Sequence, residues 1–400
     1  MQIPEAIWII FLFALGASVG SFLNVVVYRL PHELSLIRPA SHCVACKEAI
    51  DWYNNLPILS WFILRGRCRH CGAGFSIRYA LVELFTALLF VGLYWVYFQG
   101  RIRGADLLPT FERGGWILYG GHIFLICALL ASSLIDGEHW IIPLSISYSM
   151  AVTGLVLSMV WPYCLTELAP ADLWRVIPYA GAQSGAVGLG AALGLAVGLW
   201  MMKKGYITRS FAEWEAAQIE KEREQKEKKE ENEQEIEVDI RREMVREIAF
   251  LTPAVALGLI FMVALTGENE LGGAWERIIQ EQKWLAGLLG SVFGFMIGGA
   301  VVWGTRILGS LAFGREAMGL GDVHLMAGVG AVLGWVSPTI AFFVAPFMGL
   351  GWALARLALH RSREIPYGPF LSMATVLVMV FYDPMVRYLE RVLMIGSDIP

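Results

Sequence analysis

Long apolar runs separated by short polar joints dominate the chain. At about 20 apolar residues per bilayer crossing, they predict ten membrane-spanning helices, near residues 7–27, 80–98, 117–135, 141–161, 177–202, 249–266, 284–305, 322–337, 339–356 and 367–386. Residues Met1 to Ala6 hold no Lys or Arg, so the first run reads as a retained span and not a removable signal peptide. Two polar stretches interrupt the pattern. Residues 28–79 are too few for an ordinary core and need a staple. Residues 203–248 begin Lys203-Lys204, pass through Phe211-Ala212-Glu213-Trp214 and continue as a Glu/Lys/Gln tract to Arg246. That tract has strong helix formers but too few apolar positions for a buried face, so it reads as a solvated helix or coil, with a docking arm as the functional alternative. Glycine recurs every fourth residue at Gly190, Gly194 and Gly198 and again at Gly290, Gly294 and Gly298. In lipid this spacing lets helix backbones approach closely, and the likeness of the two stretches hints at a partial duplication.

Composition agrees with the pattern. Of 400 residues, 56% are hydrophobic and 16% charged, and the mean hydropathy of +0.57 lies outside the range of ordinary soluble domains. The fold class is therefore an all-α polytopic membrane protein. No patch suited to nucleic acid stands out, and the net charge of −4 says little, because the placement of charge decides orientation. With the N-terminus outside, segments 28–79, 136–140, 203–248, 306–321 and 357–366 face the cytoplasm and hold most of the 31 Lys and Arg residues, as the positive-inside rule requires. The outer loop at 99–116, with Arg101, Arg103 and Arg113, fits least well. The expected organisation is a first helix at 1–27, a cytoplasmic insert at 28–79, helices within 80–202, the charged cytoplasmic insertion at 203–248 and a helical remainder at 249–400.

Cys43-X-X-Cys46 and Cys68-X-X-Cys71 are spaced so that each pair can reach one tetrahedral ion. In a reducing cytoplasm a structural zinc is favoured over two disulfides or a redox couple. Four sulfur ligands leave no open position, so such a metal folds the insert and does not perform hydrolysis. Cys127 and Cys164, in or beside spans, read as small buried hydrophobes.

Two membrane-edge carboxylates carry the candidate chemistry. Asp136 closes the third predicted span, and Asp322 follows Gly319-Leu320-Gly321 and opens the eighth. A charge at the edge of hydrocarbon costs a few kcal/mol unless it is used or paired. One span reaches the cytoplasmic face there and the other leaves it, so both carboxyls are expected at one depth, as the halves of an aspartyl protease dyad. Such a pair shares a proton: the ionised member activates water and the protonated member polarises the scissile carbonyl. A carboxylate at a helix C-terminus is disfavoured by the dipole, which argues against Asp136 as decoration. His139 and His324 stand nearby as titratable groups that could tune the pair.

With these residues in view, the chain resembles the type IV prepilin peptidases. The resemblance rests on Gly20-Ser21-Phe22-Leu23-Asn24 through Tyr28-Arg29-Leu30-Pro31, Asn55-Leu56-Pro57-Ile58-Leu59-Ser60-Trp61, Arg65-Gly66-Arg67-Cys68, and Arg78-Tyr79 with Glu83. It continues in Glu316 to Val323 around Asp322 and in Ile365-Pro366-Tyr367-Gly368-Pro369-Phe370-Leu371. It implies a bacterial inner-membrane aspartyl peptidase that removes the leader of type IV prepilins or type II secretion pseudopilins on the cytoplasmic side. Members with the four-cysteine domain commonly also methylate the new N-terminus with S-adenosylmethionine. Carried over by motif, the catalytic pair is Asp136 and Asp322, and Cys43, Cys46, Cys68 and Cys71 form the zinc site.

The chain departs from the family pattern in three places. Leu144 stands where a second acidic residue is common, and His324 where lysine usually follows Gly-Asp-X. The aspartates are also unusually far apart in sequence, which implies an extra hairpin, with one of its spans in the 177–266 region, and ten helices in place of eight. Three classes of function are thus weighed: the peptidase, with or without methyl transfer; an ion-coupled transporter, which would place its carboxylates nearer the midplane on broken helices; and a non-catalytic assembly protein docking through its arm and insert. The span-edge positions favour the peptidase. No glycine-rich strand-turn-helix unit marks a methyl-donor pocket.

Overall fold

The computed structural model describes residues 4–100, 102, 108–165, 173, 175–211, 239–358 and 366–393. Its α-helices are α1 Glu5–Arg29, α2 Leu59–Ile63, α3 Arg78–Tyr94, α4 Gly115–His139, α5 Leu144–Cys164, α6 Ala182–Lys203, α7 Ile240–Thr266, α8 Glu270–Glu281, α9 Lys283–Phe313, α10 Leu320–Leu333, α11 Val336–Ala358, α12 Gly368–Val380 and α13 Tyr382–Leu393. Among the described residues, extended pairing is limited to two isolated bridges in the insert.

The ten expected spans resolve into eight long apolar helices, one short helix and one bent pair. The long ones are α1, α3, α4, α5, α6, α7, α9 and α11. Helix α10 has 14 residues, about 21 Å at 1.5 Å per residue, short of a hydrocarbon core of about 30 Å. Gly334, at φ 78°, ends it before the expected boundary. Helices α12 and α13 meet at 84°, because the expected last span runs into Asp383, Arg387 and Arg391, charges that suit a surface and not a crossing. Helix α9 runs on to Phe313 through what was expected to be loop from 306. Likewise α7 begins at Ile240, so residues 240–248, expected in the solvated arm, are its first turns, with Glu243 and Glu247 buried. The rest of that arm, 212–238, lies outside the described residues.

Contacts divide the chain into two units. The first comprises Met1–Thr153, Tyr163–Val176 and Ile340–Ile399. In it α1 crosses α3 at glycines: a Cβ on Gly16 would come within 2.8 Å of the Ala87 backbone, and one on Gly20 within 2.7 Å of the Glu83 backbone. Near the start of α1, Trp8 packs edge-on against Phe111 just before α4. At the other end, His32 meets His139 at 5.6 Å between ring centroids, and Arg78 pairs with Glu138. The last turn of α4, which carries Asp136, therefore lies at the end of this unit that bears the insert.

The second unit comprises Gly154–Pro162, Ile177–Thr339 and Pro400. Here both glycine stripes are packing seams, as their spacing predicts. Gly190, Gly194 and Gly198 of α6 face the α7 backbone, with a Cβ on Gly194 falling 2.1 Å from the Pro253 carbonyl oxygen. On α9, a Cβ on Gly294 would lie 2.1 Å from the Gly330 carbonyl oxygen, and Gly298 faces Met326. The Ser291 hydroxyl donates to the Ala331 carbonyl at 2.7 Å. These contacts leave α10 buried on nearly every side, from Val323 to Leu333 except His324.

Substitution on α9 separates this seam from simple helix propensity. Gly294→Ala is expected to destabilise by about 1–3 kcal/mol through overpacking. Gly304→Ala, on the same helix with open space around it, is expected to be neutral or stabilising by up to about 1 kcal/mol. Thermal denaturation of the purified protein in detergent checks both; equal effects would remove the seam.

Candidate active site and metal centre

Asp136 lies on the last turn of α4, where that helix's own dipole is unfavourable to a carboxylate. Its side chain is buried, with the residue 7% exposed. The local sequence stops the helix at once: Trp140 adopts the left-handed conformation and its N–H returns to the Asp136 carbonyl. What offsets the dipole is a second helix. The Gly368 N–H, at the start of α12, donates to Asp136 Oδ2 at 3.1 Å, so the carboxylate caps the positive end of α12. A Cβ on Gly368 would fall 2.6 Å from that oxygen; glycine is required for this approach.

Asp322 is the third residue of α10, in its first turn, where the dipole favours an acid. It too is buried. The loop before it is held by Arg306 of α9, itself 1% exposed. Arg306 donates through Nη1 to Glu316 and to the Met318 carbonyl, immediately before Gly319. Its Nε and Nη2 reach Glu247 of α7 at 3.2 Å, and Trp303 Nε1 donates to the other Glu247 oxygen at 2.7 Å. Phe211 lies over the guanidinium at 5.4 Å, while its N–H donates to Glu243 at 2.6 Å. Both margins of the 212–238 stretch are thus tied to the residues that hold the Asp322 loop. Losing one member of such a buried pair typically costs about 3–5 kcal/mol, because it strands the other charge.

The two aspartates belong to different units, each in its own apolar surroundings. His324 Nδ1 lies 2.7 Å from the Leu320 carbonyl of its own helix, and His139 is 4.0 Å from Glu138.

The four insert cysteines are brought together, with all sulfurs within 4.8 Å of one another. Cys43 and Cys71 Sγ are 3.8 Å apart, which matches the edge of a tetrahedron with metal–sulfur bonds of about 2.3 Å. Two similar turns build the site. Lys47 N–H returns to the Cys43 carbonyl and Gly72 N–H to the Cys68 carbonyl, both at 2.9 Å, with Lys47 and Gly72 in the left-handed conformation. Backbone N–H groups of Cys46 and Ala45 point at the Cys43 sulfur and hold its thiol down to about 6, whereas Cys46, crowded by the other three sulfurs, is pushed up to about 11. The residues present therefore fit zinc. Cys127 is buried and Cys164 half-buried, away from this cluster, both as free thiols.

Sequence reasoning missed Gly368, Arg306 and Glu247. A Gly-Pro step opening an apolar run marks a helix start, but not what its N–H will cap. Arg306 and Glu247 sit 59 positions apart, and only the helix packing brings them together.

Residues 14–97, holding most of α1, the insert and all of α3, match the model described as the bacterial Peptidase A24 N-terminal domain. Residues 239–354, holding Asp322, match the type IV leader peptidase family; Asp136 lies outside both spans. Curated relatives named prepilin leader peptidase/N-methyltransferase include one from Aeromonas hydrophila, 26% identical over 95% of this chain and 92% of its own. One from Myxococcus xanthus is 40% identical, over 37% of this chain and 40% of its own length. One from Klebsiella pneumoniae is 34% identical over 46% of this chain and 72% of its own. No solved structure matches. By these matches the chain belongs to the type IV leader peptidase family.

Proposed function

We propose that this protein is a membrane-embedded aspartyl endopeptidase that removes the leader of type IV prepilins or type II secretion pseudopilins at the cytoplasmic face of the bacterial inner membrane. In the same reading it N-methylates the new N-terminus. The observation that carries the proposal is a buried carboxylate at each of two helix ends, Asp136 and Asp322, in a chain of a leader peptidase family. Paired, the two carboxyls share one proton, and their repulsion keeps one ionised and one protonated. The ionised member takes a proton from water as that water attacks the scissile carbonyl, and the protonated member donates to the carbonyl oxygen. The Gly368 N–H fixes Asp136, and Arg306 fixes the loop that presents Asp322. The proposed orientation, N-terminus outside, puts the insert and the Asp136 end of α4 on the substrate's side.

Zinc bound by Cys43, Cys46, Cys68 and Cys71 would have all four positions filled by thiolate, a structural arrangement that staples the insert. S-adenosylmethionine, implied by the names of the relatives, would supply an activated methyl group for the liberated amine.

Asp136→Asn and Asp322→Asn are each expected to lower cleavage of a purified prepilin by on the order of 10²–10⁴-fold or more while leaving the protein inserted. Mass analysis of the product reads this, and near-parental turnover in either variant overturns the pair. The pH profile of the parent is expected to be bell-shaped when chemistry limits the rate, since one carboxyl must be charged and the other neutral.

Metal analysis is expected to find about one zinc per chain, falling on Cys43→Ser or Cys71→Ser together with folding of the insert. Two stable disulfides and no metal under reducing conditions would contradict this.

A Gly/Ser linker replacing 212–238 is expected to leave in-vitro cleavage within about tenfold of the parent, about 1.4 kcal/mol in the barrier. Extending the replacement through Glu243 and Glu247 is expected to abolish activity, because it strands Arg306. Equal activity of the two variants would remove Arg306 from the support of the loop.

A further inference from the structure

We infer that α2, the short helix of the cysteine insert, docks in the headgroup layer of the bilayer, with Leu59, Phe62 and Ile63 turned to lipid and the arginines that follow turned to anionic phospholipid. The insert is held between α1 and α3, two of the long apolar helices, and α2 runs from Leu59 to Ile63. Docking of this kind needs only that α1 and α3 cross a membrane, whatever reaction the chain performs.

One buried carboxylate fixes the depth. The Ile58 N–H, immediately before α2, donates to Glu83 Oε2 at 2.6 Å, and Glu83 is buried. Glu83 lies five residues beyond Arg78, the first residue of α3, or about 7.5 Å along the helix at 1.5 Å per residue. A Cβ on Gly20 would come within 2.7 Å of the Glu83 backbone, so on α1 the same level is nine residues short of Arg29, where that helix ends. Side chains lean toward the start of their own helix, which brings the carboxylate, and Ile58 with it, beside the first turns of α3. Ile58 sits at φ 65° and ψ −55°, with Leu59 N–H returning to the Pro57 carbonyl at 2.6 Å. That is a γ-turn of the rarer hand, strained for any residue and more so for a β-branched one. Strain of this kind persists only where the surroundings over-determine it, so α2 starts at a set level beside the spans.

The two faces of α2 meet different surroundings. Ser60, Trp61 and Leu64 line, with Asn24 and Val25 of α1, a cavity of about 660 Å³ between the insert and the facing ends of α1 and α3. Leu59, Phe62 and Ile63, at the three- and four-residue spacing of one helix face, lie outside that lining and are 58%, 63% and 68% exposed. A contiguous apolar cluster left in the open marks a contact surface, and its place selects the occupant. On α3 the stripe Leu81, Phe85 and Leu88 is exposed as well, and on a membrane-crossing helix such a stripe faces acyl chains. It begins at the level where Glu83 anchors α2, so lipid is already present there, and a protein partner would have to enter the headgroup layer to reach the same face. Arg65 and Arg67, directly after α2, are exposed and form no ion pair among the described residues. Lipid phosphates complement two such guanidinium groups. The docked insert lies in the plane of the headgroups at the end of its unit where His32 meets His139, on the last turn of α4 with Asp136.

The full-length protein is reconstituted into vesicles of phosphatidylcholine and phosphatidylglycerol that carry a trace of phospholipid with a diazirine on its acyl chain, irradiated, and its lipid-bearing peptides mapped by mass analysis. Adducts are expected within 59–63 as well as on Leu81, Phe85 and Leu88, which serve as the internal control. A parent labelled on α3 but not within 59–63 overturns the docking. In the Phe62→Asp, Ile63→Asp double variant the 59–63 adducts are expected to fall at least tenfold while the α3 adducts persist, with zinc content reporting that the insert still folds; unchanged labelling of α2 in that variant would also overturn it. Replacing phosphatidylglycerol by phosphatidylcholine, or Arg65 and Arg67 together by Gln, is expected to lower the 59–63 yield at least threefold, and equal yields would remove the anionic headgroups from the contact. Benzoylphenylalanine placed at position 62 separates the remaining occupant: lipid adducts support the docking, and joined pairs of chains without lipid adducts overturn it in favour of a second copy.

Discussion

Charge buried among apolar helices is costly unless a dipole or partner answers it, and that constraint organises the important parts of this molecule. Asp136 ends one helix at the wrong pole and is rescued by the amide that begins another, Gly368 N–H. Asp322 sits at the favourable pole of a short helix that is otherwise apolar except for His324. Arg306, 1% exposed, is answered by Glu247, Glu316 and the Met318 carbonyl. Glu83 in the insert cavity is answered by the Ile58 amide. In each case a polar group fixes a segment of backbone beside a candidate site, so the charges position as well as react.

Such arrangements demand that backbones come close, which explains the glycines. A Cβ at Gly20 would strike the α3 backbone at Glu83, and one at Gly368 would strike the Asp136 carboxylate. The Gly294 and Gly298 seam lets α10 sit against α9 so tightly that its flanks are closed and its first turn, with Asp322, is registered against the Arg306 support. Packing in a membrane gains little from the hydrophobic effect between helices, so close van der Waals approach and internal hydrogen bonds carry it.

Much of this was legible in the chain. Run length and hydropathy located the eight long apolar helices among the described residues, and the fourfold glycine spacing announced both seams. The two Cys-X-X-Cys pairs announced the cluster that the fold assembles. Three things were hidden, each for a physical reason. The length of an apolar run does not say where a glycine with positive φ will stop it, so the 322–337 run ends as a 14-residue helix. Charge density does not distinguish a solvated arm from a helix start whose acids are answered by a distant arginine, so Glu243 and Glu247 read as surface. The γ-turn at Ile58 and the cavity beside it depend on how the insert folds back on α1 and α3, and no local pattern encodes that.

The central proposal is that Asp136 and Asp322 act as one dyad and share a proton. Oxidative trapping tests it most directly. In an Asp136→Cys, Asp322→Cys double variant lacking Cys127 and Cys164, mild oxidation in native membranes followed by peptide mass analysis is expected to find the 136–322 disulfide at high yield. Two cysteines that each react with a small maleimide, yet form neither that disulfide nor a bridge with a short bifunctional reagent, would contradict the account.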